Sequence, residues 1–230
     1  VSLTKGIEAE SLERPTQIIR SVLPQRSVAI MSGPSHAEEV ARRIPSSVVV
    51  GAASRDVARR MQRLFTTERF RVYSNTDPLG VELGGALKNV IAIAAGVCDG
   101  LRFGDNTKSA LVTRGLVEMV RLATKLGAKK QTFAGLAGMG DLITTSFSPH
   151  GRNRRVGERL GQGQPLERIL RDSQQVAEGV GTTRAVMKLA RKIRVDMPIA
   201  REVHDMLFEG KDAQESLRSL MTRSSKTESW

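Results

Sequence analysis

The spacing of hydrophobic positions follows one pattern up to about residue 77 and another pattern over the rest of the chain. In the first part, short β-branched runs alternate with segments of helical period. Strands separated by helices favour a doubly wound α/β sheet. The predicted strands are VSLTKG, SVAIMSG, SSVVVGA and FRVYSNTD, and the predicted helices are ESLERPTQIIRSVLP and SRDVARRMQRLFTT, the latter with Ser54 as its N-cap.

After Asp77-Pro78, nearly every periodic segment has the spacing of an amphipathic helix. The longest, NTKSALVTRGLVEMVRLATKLG, is predicted to begin behind Asn106 and to end at Gly127. In the last helix, Asp212 and Glu215 have the spacing of a capping box, and RSSKTESW after it is predicted to fray. We therefore predict an all-α region, which also includes TTRAVMKLARKIR and MPIAREVHDMLFEG.

Length and composition describe an ordinary globular protein. The 230 residues are 40% hydrophobic and 26% charged. The longest uncharged apolar run, residues 90–98, is shorter than a bilayer span, and the single cysteine, Cys98, excludes an internal disulfide. We expect a cytoplasmic protein that makes no membrane contact. The chain begins at Val1 and lacks a G-x-G-x-x-G motif, so we expect it to be the later part of something longer.

The net charge of +12 raises the question of nucleic-acid binding. Aromatic residues make up only 3% of the chain, so platforms for base stacking are scarce. We therefore interpret the charge as a solvated basic surface, concentrated around an anionic small molecule, and expect no nucleic-acid partner. The three histidines, His36, His150 and His204, lack metal-ligand spacing, so we assign no metal site and give them no catalytic role.

Five polar features stand out as candidate chemistry. Lys88 is the one charged residue in LGGALKNVIAIAAG, where a lysine is rarely buried unless it is paired or functional. Taken alone, a stem that packs while the ammonium reaches solvent is the simpler interpretation. The other four also have simple structural interpretations as a turn, a cap, an ion pair or a solvated face: SGPSHAEEV, GMGDL with Asp141, GRNRRVGERLGQG, and VAEGVGTT with Glu178.

Together, these segments are similar to one enzyme family. TKG, SGPSHAEEV, ELGGALKNVIAIAAG, FGDNTKSALVTRGLVEM, GLAGMGDLITT, RNRRVGERLGQG and VAEGVGT occur in the order typical of bacterial-type NAD(P)-dependent glycerol-3-phosphate dehydrogenases. The resemblance implies the C-terminal part of a Rossmann-like dinucleotide-binding sheet over residues 1–77, followed by an all-helical substrate domain over residues 78–230. It also implies reversible reduction of dihydroxyacetone phosphate to sn-glycerol 3-phosphate with NADH or NADPH, for glycerophospholipid synthesis.

The resemblance assigns roles to individual residues. It makes Lys88 the general acid or base, with Asn89 beside it as a further substrate contact. Gly151 stands where the family often has Ser or Thr, so a hydroxyl contact is lost and only its backbone N–H remains. Without the dinucleotide fingerprint, we expect this chain to bind the cofactor incompletely. The implied substrate-binding residues are Lys5, Gly33, Ser35, Lys88, Asp141, Gly151, Arg152 and Asn153, and the implied cofactor-binding residues are Lys5, Ala37, Arg152, Val176 and Glu178.

The implied chemistry agrees with these residue types. Desolvation and a nearby Lys5 would lower the pKa of Lys88, and Asp141 would pair with Lys88 or with a substrate hydroxyl. Arg152 and Asn153 would hold the phosphate.

Two alternatives stay open. A related two-domain dehydrogenase of a 3-hydroxy acid also uses a lysine on the first helix of its helical domain, although RNRR favours a phosphorylated substrate. An inactive fragment or a basic binding module is the other. A homodimer through the helical domain is compatible with each dehydrogenase interpretation.

Overall fold

The computed structural model describes residues 1–173, 175–225 and 227–228. Lys226, Ser229 and Trp230, which belong to the segment predicted to fray, lie outside the described residues. The strands are β1 (Ala29–Ser32), β2 (Ser46–Ala52) and β3 (Phe70–Asn75). The helices are α1 (Pro15–Val22), α2 (Ala37–Ala41), α3 (Arg55–Phe65), α4 (Pro78–Gly100), α5 (Gly104–Lys125), α6 (Asp141–Phe147), α7 (Arg152–Gly161), α8 (Leu166–Arg171), α9 (Glu178–Ile193), α10 (Pro198–Phe208) and α11 (Ala213–Met221), with a 3₁₀ turn at Lys130–Ala134 and a π turn at Leu136–Gly140.

The sheet has the order β1-β2-β3 and is mixed. β2 and β3 are parallel, as the strand–helix alternation favours, but β1 runs antiparallel to β2. The segment between β1 and β2 contains only α2, none of whose residues is buried, so it does not cover the sheet as a crossover helix would. The predicted first strand, VSLTKG, is reduced to one parallel bridge between Ser2 and Ile30, because the chain leaves the sheet edge after that pair.

The two faces of the sheet pack against different helices. Val48 and Val50 of β2 point to one face, where Ala58 of α3 covers them. Val49 points to the other face and meets Val81 of α4. This alternation follows from the two-residue period of a strand. The predicted strands β1, β2 and β3 and the N-cap at Ser54, whose hydroxyl accepts from the backbone of α3, are confirmed.

The 23-residue helix α4 is the centre of the molecule. By length and composition it could cross a membrane, with a mean hydropathy of 1.5, so the short run at residues 90–98 understated its apolar extent. The most apolar 18 residues of α4 are all buried inside the protein, against α5, α6, α7 and α9. A helix that is apolar on all sides is expected where other helices surround it.

The predicted helices of the second part are confirmed, with differences at their beginnings. α5 begins at Gly104, two residues before Asn106, and Gly127 lies just beyond its end with a φ of +99°. α9 already begins at Glu178, four residues before the predicted helix TTRAVMKLARKIR. The backbone N–H of Gly179 donates to the side chain of Asn153, a tertiary cap that local sequence does not reveal. Asp212 caps α11 as predicted.

Helices α4 and α7 cross at very close range because glycines meet at the contact. A Cβ on Gly157 would overlap the backbone oxygen of Ile93, and a Cβ on Gly96 would overlap the backbone oxygen of Arg154. A close approach of this kind leaves no room for any side chain. The crossing fixes the beginning of α7 beside the middle of α4.

Gly157→Ala is therefore expected to destabilise the fold. The added methyl group has to displace backbone, and overpacking costs about 1–3 kcal/mol or more. The midpoint of urea unfolding measures the effect. Gly181→Ala is the matched control, because nothing lies within 4 Å of the added Cβ in α9, and it should leave stability unchanged or raise it slightly. Equal midpoints for both variants would contradict the close crossing.

Candidate active site

A cleft of about 530 Å³ opens where the end of β1 faces the helical part of the chain. α4 forms its floor, and residues at or near the beginnings of α2, α6, α7 and α9 form its walls. Its size lies in the usual range of small-molecule sites. The cleft gathers most residues that the sequence analysis assigned to a site: Lys5, Ser35, Ala37, Lys88, Asp141, Gly151, Arg152, Asn153 and Glu178.

Lys88 lies near the middle of α4 and ends in this cleft, with only 6% of its surface exposed. Its Nζ is 3.1 Å from Oδ1 of Asp141, the first residue of α6. Lys5 approaches the same carboxylate from the other side, with its Nζ 2.7 Å from Oδ2. The predicted pairing of Lys88 with Asp141 is confirmed, and the interpretation of an ammonium that reaches bulk solvent is wrong.

The bridging carboxylate is held in place by its surroundings. The Ser32 hydroxyl lies 3.5 Å from Oδ2 of Asp141, and the ammonium of Lys5 also donates to the backbone oxygen of Gly33 at 3.0 Å. Asn89, beside Lys88 on α4, donates its side-chain amide to the backbone oxygen of Lys5 at 2.9 Å. Two ammonium groups share one carboxylate, so these three side chains together carry a positive charge while Lys88 is protonated, and this charge can attract or stabilise an anion.

Burial lowers the pKa of Lys88 to about 8. Desolvation is the largest cause, because the buried ammonium loses its hydration. The Asp141 carboxylate acts against it and raises the pKa, while the positive charge of Lys5 lowers the pKa further. The expectation that desolvation and Lys5 both lower this pKa is confirmed. An amine in this range can donate or accept a proton near neutral pH.

The beginning of α7 forms the second polar end of the cleft. Arg152 is exposed and has no carboxylate partner in the part of the chain that the structure describes. The other two arginines of RNRR turn away, since Arg154 pairs with Asp99 at 2.6 Å and Arg155 donates to the backbone oxygen of Pro149 at 3.4 Å. Arg152 is thus the arginine of this group that is available to a ligand in the cleft.

Asn153 and Gly151 both make hydrogen bonds within the protein. The side-chain oxygen of Asn153 accepts from the backbone N–H of Gly179, which leaves its amide N–H groups for other contacts. The backbone N–H of Gly151, expected to remain available, instead donates to the oxygen of Ser148 at 3.2 Å. A Cβ on Gly151 would lie 2.8 Å from the oxygen of Thr145, which explains why the turn here accommodates glycine.

Two assigned residues do not line the cleft. Gly33 is buried beneath it with a φ of +133° and contributes its backbone oxygen to Lys5. Val176 is 75% exposed and points outward. Glu178 lies in the cleft, where its negative charge raises the pKa of Lys88.

Several residues that line the cleft were not predicted from the sequence. His36 and His150, which received no role, meet at the cleft with ring centroids 6.1 Å apart, and Thr144 and Thr145 of α6 line it as well. His36 lies inside SGPSHAEEV, which is one of the candidate segments, so the sequence could have indicated that His36 lies near the site. Nothing in the local sequence distinguishes His150.

The chain matches two family models. Residues 77–218 match the C-terminus, and residues 1–58 the N-terminus, of NAD-dependent glycerol-3-phosphate dehydrogenase.

Relatives and a solved structure agree with these matches. The chain is 52% identical to glycerol-3-phosphate dehydrogenase [NAD(P)+] 1 of Salinibacter ruber, covering 100% of this chain and 68% of that protein. It is also 52% identical to the corresponding enzyme of Citrifermentans bemidjiense, covering 99% and 69%. The crystal structure of glycerol-3-phosphate dehydrogenase from Coxiella burnetii superposes with a TM-score of 0.92 at 39% identity, covering 96% of this chain and 68% of that one.

Proposed function

The chain belongs to the NAD-dependent glycerol-3-phosphate dehydrogenase family, and we propose that its cleft interconverts dihydroxyacetone phosphate and sn-glycerol 3-phosphate with NAD(P). The observation that carries the proposal is the buried Lys88, bridged to Asp141, at one end of a cleft whose other end holds Arg152. One end has a group for proton transfer, and the other has a group for an anion. A phosphorylated ketone needs both.

Lys88 is proposed to move the proton at the substrate oxygen. Reduction of a ketone places negative charge on that oxygen, and a nearby ammonium stabilises the charge and donates the proton. In the oxidation, the neutral amine of Lys88 accepts the proton of the alcohol. Asp141 keeps the amine oriented and, by raising its pKa, keeps an appreciable fraction of it protonated near neutral pH. Lys5 holds Asp141 in place and adds positive potential.

The phosphate is proposed to bind between Arg152 and Asn153. A guanidinium presents a planar fork of donors that matches phosphate oxygens. The first backbone N–H groups of a helix have no partner within the helix, so the beginning of α7 adds donors and a favourable dipole. Binding energy from the phosphate thereby orients the carbon that reacts at Lys88.

The cofactor is proposed to lie along the wall that contains Ala37, Arg152 and Glu178. This wall is open and carries an arginine without a carboxylate partner among the described residues, and the cleft is larger than a three-carbon phosphate requires. A nicotinamide end fits there, with the cation of Arg152 available to an anionic group. When bound, NAD(P)H supplies the hydride. Gly33, Ser35 and Val176 are retained as proposed contacts of substrate or cofactor.

The wider setting is also proposed. Residues 1–77 are taken as the cofactor-binding region and residues 78–230 as the substrate domain, since the sheet ends just before α4 begins. The product suits glycerophospholipid synthesis in the cytoplasm, and a homodimer through the helical domain is compatible with the fold.

The direct test mixes the full-length protein with NADH or NADPH and follows cofactor oxidation after dihydroxyacetone phosphate is added. We expect oxidation that depends on the ketone and yields sn-glycerol 3-phosphate. Stimulation by a 3-oxo acid but not by dihydroxyacetone phosphate would favour the related 3-hydroxy acid dehydrogenase. Comparison of the two reduced cofactors gives the NAD or NADP preference.

The pH dependence of kcat/KM is expected to have opposite signs in the two directions. Lys88 must be protonated to donate, so ketone reduction should fall as the pH rises through about 8, and alcohol oxidation should rise over the same interval. Asp141→Asn should move both midpoints to lower pH, because it removes the charge that raises the pKa of Lys88. Midpoints that do not move in Asp141→Asn would contradict the assignment.

A further inference from the structure

His36 is the N-cap residue of α2 and lines the cleft. Its Nε2 atom is shielded from solvent, and no hydrogen-bond partner is found for it within the described part of the chain. A buried polar atom is normally satisfied by protein, water or a ligand. Because His36 lines the cleft, a rotation of its ring toward the open space would let a bound molecule supply the missing partner.

Charged groups from more than one element of the fold act on His36. Lys88 and Asp141 act on it from the reaction end, and Glu38 and Glu39 act on it from its own helix α2. Its ring packs edge-to-face against His150, at an interplanar angle of 62°.

The same geometry connects His36 to the anion end. His150 lies two residues before Arg152, and His36, His150 and Arg152 line the cleft together with Glu38. Lys88, His36 and Arg152 all line the cleft, so a molecule that contacts both Lys88 and Arg152 can also contact His36.

His36 is neutral over most of the physiological range. Desolvation is the main cause that lowers its pKa, and the positive charge of Lys88 lowers the pKa as well, whereas Glu39, Glu38 and Asp141 raise it. A neutral imidazole that carries its proton on Nε2 donates one hydrogen bond from that atom. A phosphate oxygen accepts such a bond without any proton being transferred.

We propose that Nε2–H of His36 donates to a phosphate oxygen of the substrate, which makes His36 a further residue that determines specificity for the phosphorylated ketone. The inference rests on the proposed function. Arg152 supplies charge from the solvent side, and His36 supplies a desolvated donor from the wall. The donor would distinguish a phosphate from an uncharged hydroxyl, because hydrogen bonds to charged groups are the stronger ones.

The kinetic test uses His36→Leu and His36→Gln in the full-length protein. A leucine removes the donor, so KM for dihydroxyacetone phosphate should rise roughly 10- to 100-fold with little change in kcat. A glutamine places an amide N–H near the former Nε2 position and should restore most of the lost affinity. Unphosphorylated dihydroxyacetone should be turned over equally by wild type and His36→Leu. The control is His204→Leu, which removes a histidine paired with Asp205 outside the cleft.

Three kinetic outcomes would overturn the proposal. The first is an unchanged KM for dihydroxyacetone phosphate in His36→Leu. The second is an equal rise of KM for both ketones, and the third is a rise of KM for the cofactor alone. If His36→Leu loses its helical circular dichroism, His36→Gln decides, because an unrestored KM in a folded glutamine variant overturns the proposal.

A binding experiment separates this inference from the proposed function. Histidine-selective ¹⁵N spectra of the wild-type protein are recorded with sn-glycerol 3-phosphate and with glycerol. The Nε2 signal of His36, assigned by its loss in His36→Gln, should shift with the phosphate only. If the wild-type protein shows this shift but no turnover, the result supports the contact of His36 and contradicts the proposed function. If it shows turnover without the shift, the result supports the proposed function and contradicts the contact of His36.

Discussion

Lys88→Met in the full-length protein is expected to lower kcat by about 10²–10⁴-fold while the fold is retained. Methionine keeps most of the apolar stem and removes the amine that donates or accepts the proton. Asp141 stays paired with Lys5 at 2.7 Å, so no buried carboxylate is left without a partner. Steady-state kinetics with dihydroxyacetone phosphate and urea unfolding measure the two effects.

Lys108→Met is a matched control for this variant. Lys108 is as buried as Lys88, each with 6% of its surface exposed, and it pairs with Asp99 away from the cleft. Asp99 keeps Arg154 as a partner, as Asp141 keeps Lys5. A loss of kcat confined to Lys88→Met supports a chemical role. Equal losses in the two variants would show that removing any buried lysine is enough.

Arg152→Lys is expected to lower kcat/KM for dihydroxyacetone phosphate, although the charge is kept. The loss of transition-state stabilisation should be about 1.5–3 kcal/mol. An ammonium cannot reproduce the planar fork of a guanidinium. The loss should be much smaller for unphosphorylated dihydroxyacetone, which offers no phosphate oxygens. The measurement is kcat/KM for the two ketones in wild type and variant.

Arg155→Lys provides the matched control for the phosphate grip. Arg155 is exposed, lies on the same turn of α7 and donates to the backbone oxygen of Pro149. It should show no selective loss. If Arg152→Lys lowers kcat/KM equally for both ketones, Arg152 acts on the cofactor rather than on the phosphate. No loss on either ketone would make Arg152 an ordinary surface residue.

Local sequence is sufficient for the elements whose signals are themselves local. The β-branched runs predicted β1 to β3, and single residues such as Ser54, Gly127 and Asp212 marked helix ends because their side chains or φ angles act within one turn. The direction of β1 and the early beginning of α9 depend on distant partners. For α9 that partner is Asn153, which lies 26 residues before the N–H it accepts from.

Some features of the candidate site are likewise visible in the local sequence, whereas others depend on the fold. The odd position of Lys88 in an apolar segment was visible, but only the fold brings Lys5, Lys88 and Asp141 together. The sequence could not tell which arginine of RNRR faces the cleft, because that depends on where Asp99 and Pro149 lie. For the same reason, His36 and His150 had no assigned role until the fold placed them on one wall.

A direct titration of the amine of Lys88 tests whether burial prepares it for proton transfer. ¹³Cε signals of labelled lysines are followed against pH in the wild-type protein, and Lys88 is assigned by the signal missing from Lys88→Met. We expect a midpoint near 8 for Lys88. A midpoint near the ordinary lysine value of about 10.4 would contradict it.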